Sequence, residues 1–234
     1  MAKYFTLQLY YGGDSMQLDL LLKELKSFGN ELERSIYIKQ GAGNNVYGVS
    51  LSNIYDLASR IGISNELGLA LWNTEIIDAR LLACLILDYS IIASEDLDTM
   101  VNEINFFRVS DFFAKFIYKT RYKKEKSLLY TQSSEFNKVR CGYILVSLLA
   151  SNNNSLSESF FLIFLNQIRV NYKDSNFRIQ EAMNNALVEI GLRNTHLKLK
   201  ALETLNIVLS FNKKDQNNSL DFDPITILNS SFSK

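Results

Sequence analysis

Residues 48–88, GVSLSNIYDLASRIGISNELGLALWNTEIIDARLLACLILD, hold three successive starts of short amphipathic helix with no strand alternation between them. Ser50 is placed to cap a helix carrying Ile54, Leu57, Ala58 and Ile61, which Gly62 can close in a left-handed conformation. Ser64 is placed to cap the next, with Leu67, Ala70 and Leu71, and Thr74 a third, with Ala79, Leu82, Ala83 and Ile86. Helices this short are not stable alone in water, so each must lay its apolar stripe on a neighbour. A chain built this way is confined to stacked helix pairs with a long groove, and a closed pocket is not expected.

The pattern continues on both sides. Residues 16–28 place Leu18, Leu21, Leu22 and Leu25 at helical spacing, stopped by Gly29-Asn30, and 31–39 read as a shorter helix. Downstream, Ser94 is placed to cap 95–104, Val109, Phe112, Phe113 and Phe116 mark another helix, and Ser134 is placed to cap a long one to about 150. Ser155-Leu-Ser-Glu158 reads as a capping box, and 176–190 and 196–211 form a further pair around Gly191. One proline and ten glycines leave few breakers, which favours helical tracts over a many-stranded sheet. Units of roughly 35–45 residues match the period of HEAT-like repeats. The expected fold is all-α, a HEAT-like repeat superhelix of antiparallel helix pairs, with one domain over 1–211 and a polar C-terminal tail over 212–234.

Several function classes are excluded by what is missing. His196 is the only histidine and there is no Cys-x-x-Cys pair, so no metal site is expected. Cys84 and Cys141 lie in apolar helical contexts and read as buried free thiols. The glycine-rich segment QGAGNNVYG (40–48) lacks the spacing and the Gly-Lys-Ser/Thr ending of a phosphate loop. No organic cofactor is expected either. The opening MAKYFTLQLYYGGD has too little basic charge for a secretory signal, and no apolar run reaches a membrane span. The reading is a cytoplasmic protein without a membrane partner.

Basic and acidic residues balance at 25 each, so there is no global field for nucleic acid. Local clustering remains. Lys119-Thr-Arg121-Tyr-Lys123-Lys124-Glu-Lys126 places five basic residues in eight around Tyr122, suited to phosphate contacts with duplex DNA. Arg193, Lys198 and Lys200 form a weaker cluster, and the acidic Glu95, Asp96, Asp98 and Glu103 lie upstream.

Gly48-Val49 opening a helix, then Leu71-Trp72, then Asp78-Ala79-Arg80-Leu81-Leu82-Ala83, resembles the bacterial DNA alkylation repair family. RIQEAMNNALVEIGLRN (178–194) is similar to that family's penultimate helix, with Gln180, Ala182, Leu187 and Glu189 in matching places. The resemblance covers about residues 35–210. It implies HEAT-like repeats and, in active members, excision of alkylated purines from DNA. It also implies an aromatic–aspartate–arginine site on the concave face. Asp111 takes the carboxylate's position, Phe107 stands where a tryptophan would be, and Arg140 matches the arginine of the following repeat. A second tryptophan position is occupied by Asn185.

Expelling an alkylated, already cationic base needs no protonation of the leaving group; the task is to stabilise positive charge on the sugar. A fixed carboxylate such as Asp111 does this electrostatically, aromatic faces add cation–π attraction and exclude water, and Arg140 would hold the neighbouring phosphate. Losing one preorganised partner costs about 3 kcal/mol of barrier. Asn185 has no aromatic face, so the resemblance as it stands here implies weak or absent excision.

Plainer readings of the same residues exist. Asp111 and Lys115 are spaced as an exposed i,i+4 ion pair, and Arg140 could snorkel beside Phe136, Val139 and Tyr143. Trp72 reads as packing between repeats, and Glu181, Glu189 and Glu203 as solvated helix faces. A rival from another class is a helical scaffold that binds a protein partner and has no DNA role.

Overall fold

The structure is a computed structural model that describes residues 13–153, 155–212 and 224–230. Expectations for residues 1–12, and for most of 212–234, lie outside these. The described residues form thirteen helices and no strand, with one isolated antiparallel bridge between Gly29 and Val49. Contacts divide the chain into two units, residues 1–91 and 92–234, where the sequence suggested one domain over 1–211.

The first unit holds α1 (Gly13–Ser27), α2 (Glu31–Lys39), α3 (Leu51–Ile61), α4 (Asn65–Asn73) and α5 (Ile77–Ile86). Helix α5 is its centre, packed against α3, α4 and α1. Ile77, Leu81, Leu82 and Ile86 are fully buried on it. Trp72 is buried, with the Arg80 guanidinium 5.1 Å from its ring centroid and Arg80 Nε donating to its carbonyl at 3.1 Å.

Caps fall where the sequence placed them only in part. The Ser50 hydroxyl accepts from the Asn53 N–H at 3.3 Å, and Gly62 ends α3 at φ +73°. Ser64 occupies the cap position of α4 without a side-chain bond. Thr74 does not cap α5, which starts only at Ile77; its hydroxyl donates to the Leu71 carbonyl at 2.7 Å and accepts from the Ile76 N–H at 3.3 Å. Ile76 takes the cap position instead.

The 40–48 loop is held by a buried carboxylate. Asp78 accepts from the backbone N–H of Tyr47 at 2.6 Å and of Val49 at 2.8 Å. Arg34 Nε donates to the Val46 carbonyl at 3.1 Å. Gly48 sits at φ +78°, where a Cβ would collide with the backbone of Arg34 and Asn30. Burial pushes the Asp78 carboxyl above the ordinary aspartate value, against the pull of those backbone N–H groups.

The second unit holds α6 (Ser94–Asn102), α7 (Phe107–Lys119), α8 (Lys123–Tyr130), α9 (Phe136–Asn152), α10 (Glu158–Asn171), α11 (Phe177–Gly191), α12 (Thr195–Asn212) and α13 (Pro224–Ser230). Helix α9 lies between α7 and α11, with α8 against it, while α12 packs on α10 and α11. The core is aromatic, with Phe113, Phe116, Phe161, Phe164 and Tyr143 buried.

Starts here are displaced by one or two residues from the expected hydroxyls. Ser94 is the first residue of α6, and the Asp96 carboxylate reaches back to the Ala93 N–H at 3.3 Å. Glu135, not Ser134, precedes α9. The expected box at Ser155 gives way to Ser157, whose hydroxyl accepts from the Phe160 N–H at 3.4 Å. Asn176 caps α11 by accepting from the Ile179 N–H at 3.0 Å. Within the expected tail, α13 docks on α11 and α12 and buries Leu228 against Gly191, where an added Cβ would lie 2.6 Å from it. Residues 224–230 are therefore packed on the second unit.

Candidate functional site

Three neighbouring helices of the second unit bring one charged cluster together. The first turn and a half of α7 supplies Phe107 and Asp111, the same stretch of α9 supplies Arg140, and the start of α11 supplies Arg178 and Glu181. Asp111 and Arg140, 29 positions apart, meet in a two-pronged pair: Nε to Oδ1 at 2.7 Å and Nη2 to Oδ2 at 2.8 Å. The planar guanidinium fork matches the carboxylate, which makes this the stronger class of ion pair. Arg140 Nη1 also donates to the Arg178 carbonyl and, at 3.2 Å, to Glu181 Oε2. Glu181 in turn accepts from Arg178 Nη1 at 3.0 Å through either oxygen.

Phe107 closes the cluster. Its ring centroid lies 4.8 Å from the Arg140 guanidinium carbon and 4.2 Å from that of Arg178. Arg140 is 4% exposed, so it is not a surface snorkeller. Asp111 keeps about a quarter of its side chain exposed, and burial raises its carboxyl above the ordinary aspartate value while Arg140 and then Lys115 pull the other way. The plain alternative of an Asp111–Lys115 ion pair is not what forms; the Lys115 ammonium lies over the Phe112 ring at 5.1 Å.

Asn185 follows Glu181 by one turn on α11 and is half-buried, and Glu189 follows by one more. Burial raises the Glu189 carboxyl above its ordinary value. Neither Glu181 nor Glu189 is a solvated helix face, whereas Glu203 is exposed and paired with Lys200 at 2.9 Å. Arg178 and Glu181 were not singled out from the sequence as members of the site. Their Arg-x-x-Glu spacing, one turn before Asn185, was the available signal.

Burial separates one member of the basic stretch from the other four. Lys119, Arg121 and Lys124 are exposed and Lys123 is half-buried. The Lys123 ammonium lies 4.6 Å from the Tyr118 ring centroid and that of Lys124 5.5 Å from Phe160, while Arg121 donates to the Tyr122 hydroxyl at 2.6 Å. Lys126 is a correction to the sequence reading: it is 1% exposed and its ammonium donates to Asp98 Oδ2 at 2.8 Å, beside the Tyr130 hydroxyl on Oδ1 at 2.9 Å. Its charge is spent inside the unit, so it does not belong to a phosphate-contacting set. In the weaker cluster, Arg193 donates to the Ala150 carbonyl at 2.5 Å, and Lys200 pairs with Glu203.

Among the described residues, no group of three or more His, Cys, Asp or Glu side chains is placed to hold a metal ion. No helix among them is long and apolar enough to cross a membrane.

Comparison with solved structures gives a match of TM-score 0.80 and 24% identity, over 91% of this chain and 92% of the other. That structure is described as representing a new family of proteins related to the HEAT-like repeat DNA glycosylases with affinity for branched DNA structures. The shared fold is thus an all-α HEAT-like repeat fold. No curated protein matches the sequence. The profile of the family described as DNA alkylation repair enzyme matches residues 21–220. The chain therefore belongs to the DNA alkylation repair enzyme family.

Proposed function

We propose that the protein is a DNA-binding member of this family whose base-excision activity is weak or absent. The observation that carries the reading is the two-pronged Asp111–Arg140 pair. A carboxylate stabilises a sugar cation less strongly when its charge is already balanced, and here a guanidinium sits on both of its oxygens. The aromatic component is engaged in the same way, since Phe107 already faces the cations of Arg140 and Arg178. Asn185, one turn beyond Glu181, offers no second aromatic face. In this reading Arg140 orients and neutralises Asp111, because its Nε and both terminal nitrogens are engaged within the protein.

DNA binding rests on Lys119, Arg121, Lys123 and Lys124 as phosphate contacts, and on the affinity for branched DNA stated for the similar structure. Zero formal net charge limits long-range attraction, so binding is modest and salt-sensitive. A titration of duplex and three-way-junction DNA at 50 and 200 mM salt tests this. Binding that weakens with salt supports it; no binding at low salt, or binding indifferent to salt, removes the DNA role.

A further inference from the structure

The Arg178 guanidinium lies within cation–π distance of two rings. It lies 4.2 Å from the centroid of Phe107, which is almost buried, and 5.4 Å from that of Phe177, which is 38% exposed. Glu181 fixes the same guanidinium through Nη1 at 3.0 Å, so the plane is held from within the unit. Arg178 thus touches one ring that is almost buried and one that is open to solvent. An exposed phenylalanine held in this way loses little freedom when another flat group stacks on it.

The surroundings select the kind of flat group. Phe177 is the first residue of α11, a fifteen-residue helix whose N-terminal end carries the positive pole of its dipole. Lys173 is exposed in the turn just before it, next to an exposed Asp174, and the Arg178 guanidinium itself lies 5.4 Å from the Phe177 ring. An aromatic ring beside a guanidinium at a helix N-terminus suits a base that carries a phosphate beside it. A fully paired duplex keeps its bases stacked on each other and cannot offer one. We propose that Phe177, braced by Arg178, is a stacking platform for an unpaired nucleobase in DNA. The proposal rests on the DNA-binding reading above and adds to it what part of the DNA is gripped.

The test uses the full chain and three-way-junction DNA with 2-aminopurine as an unpaired base at the branch, beside a fully paired duplex of the same sequence. Stacking quenches the probe, so the wild type quenches it and binds the junction more tightly than the duplex. Phe177→Leu keeps an apolar side chain but removes the ring; it lowers junction affinity about fivefold or more and abolishes quenching, while duplex affinity stays unchanged. Phe177→Trp restores both. Neither variant moves the melting temperature much, since the ring is exposed at the start of a helix. Unaltered quenching and junction affinity in Phe177→Leu would overturn the platform, as would a wild type that binds DNA without quenching, and both would leave DNA binding standing. A wild type that binds neither DNA would end the platform together with the reading beneath it.

Discussion

Arg140 holds Asp111 by both carboxylate oxygens, at 2.7 and 2.8 Å, and so joins the start of α7 to α9. The same guanidinium continues to Glu181 and to the Arg178 carbonyl on α11. One buried side chain therefore ties three inner helices of the second unit. The cluster is internally neutralised, two acids against two bases.

This tie makes Arg140 a stability determinant. Arg140→Met leaves Asp111 and Glu181 without their shared partner and should cost about 3–5 kcal/mol in urea denaturation. Adding Asp111→Asn to it should cost less than the sum of the two single changes, because the second substitution removes the stranded charge. Additive costs would mean that the pair is not coupled.

Lys126 and its basic neighbours should behave as opposites. Lys126→Ala takes the buried ammonium from Asp98 Oδ2, while Oδ1 keeps the Tyr130 hydroxyl, so it should destabilise the protein by about 1–3 kcal/mol and leave the salt dependence of DNA binding unchanged. Replacing Lys119, Arg121, Lys123 and Lys124 with glutamine should spare stability and flatten the plot of log affinity against log salt, by about 0.9 for each phosphate no longer neutralised.

Glu189 offers a pH test with a defined sign. Burial raises its carboxyl, so the folded state holds the proton more tightly than the unfolded state does. Stability from this group is fully present below the ordinary glutamate value and is lost as pH rises through the raised one. Glu189→Gln should therefore lessen the fall in melting temperature between pH 4 and 7 relative to wild type. An unchanged profile would place Glu189 in ordinary solvent.

Asp78 should tolerate little change. It is fully buried and accepts two backbone N–H groups, from Tyr47 at the end of the 40–48 loop and from Val49 just beyond it. Asp78→Asn turns an amide N–H toward one of those donors and should cost about 1–3 kcal/mol, with faster hydrogen exchange at Tyr47 or Val49.

The sequence carried the helices well because their apolar spacing is local information. Ser50 and Gly62 were readable since cap and helix are adjacent in the chain. Thr74, Ser94 and Ser134 were not, because each lies within two residues of a boundary that packing set: Thr74 bonds back to α4, and Asp96 takes over at α6. Asp111 and Arg140 came forward only through the family resemblance, since nothing local joins positions 29 apart. The burial of Lys126 had no local signal, because its partner Asp98 comes from another helix. Arg178 and Glu181 were visible as an i,i+3 pair, but their contact with Arg140 needs the packing of α9 on α11.

Release of methylated purines from duplex DNA, by wild type and by Asp111→Asn side by side, tests the neutralised carboxylate most directly. The pair geometry predicts release near background from both. Robust release by the wild type that Asp111→Asn abolishes would show that the Arg140-bound carboxylate still does the family's chemistry.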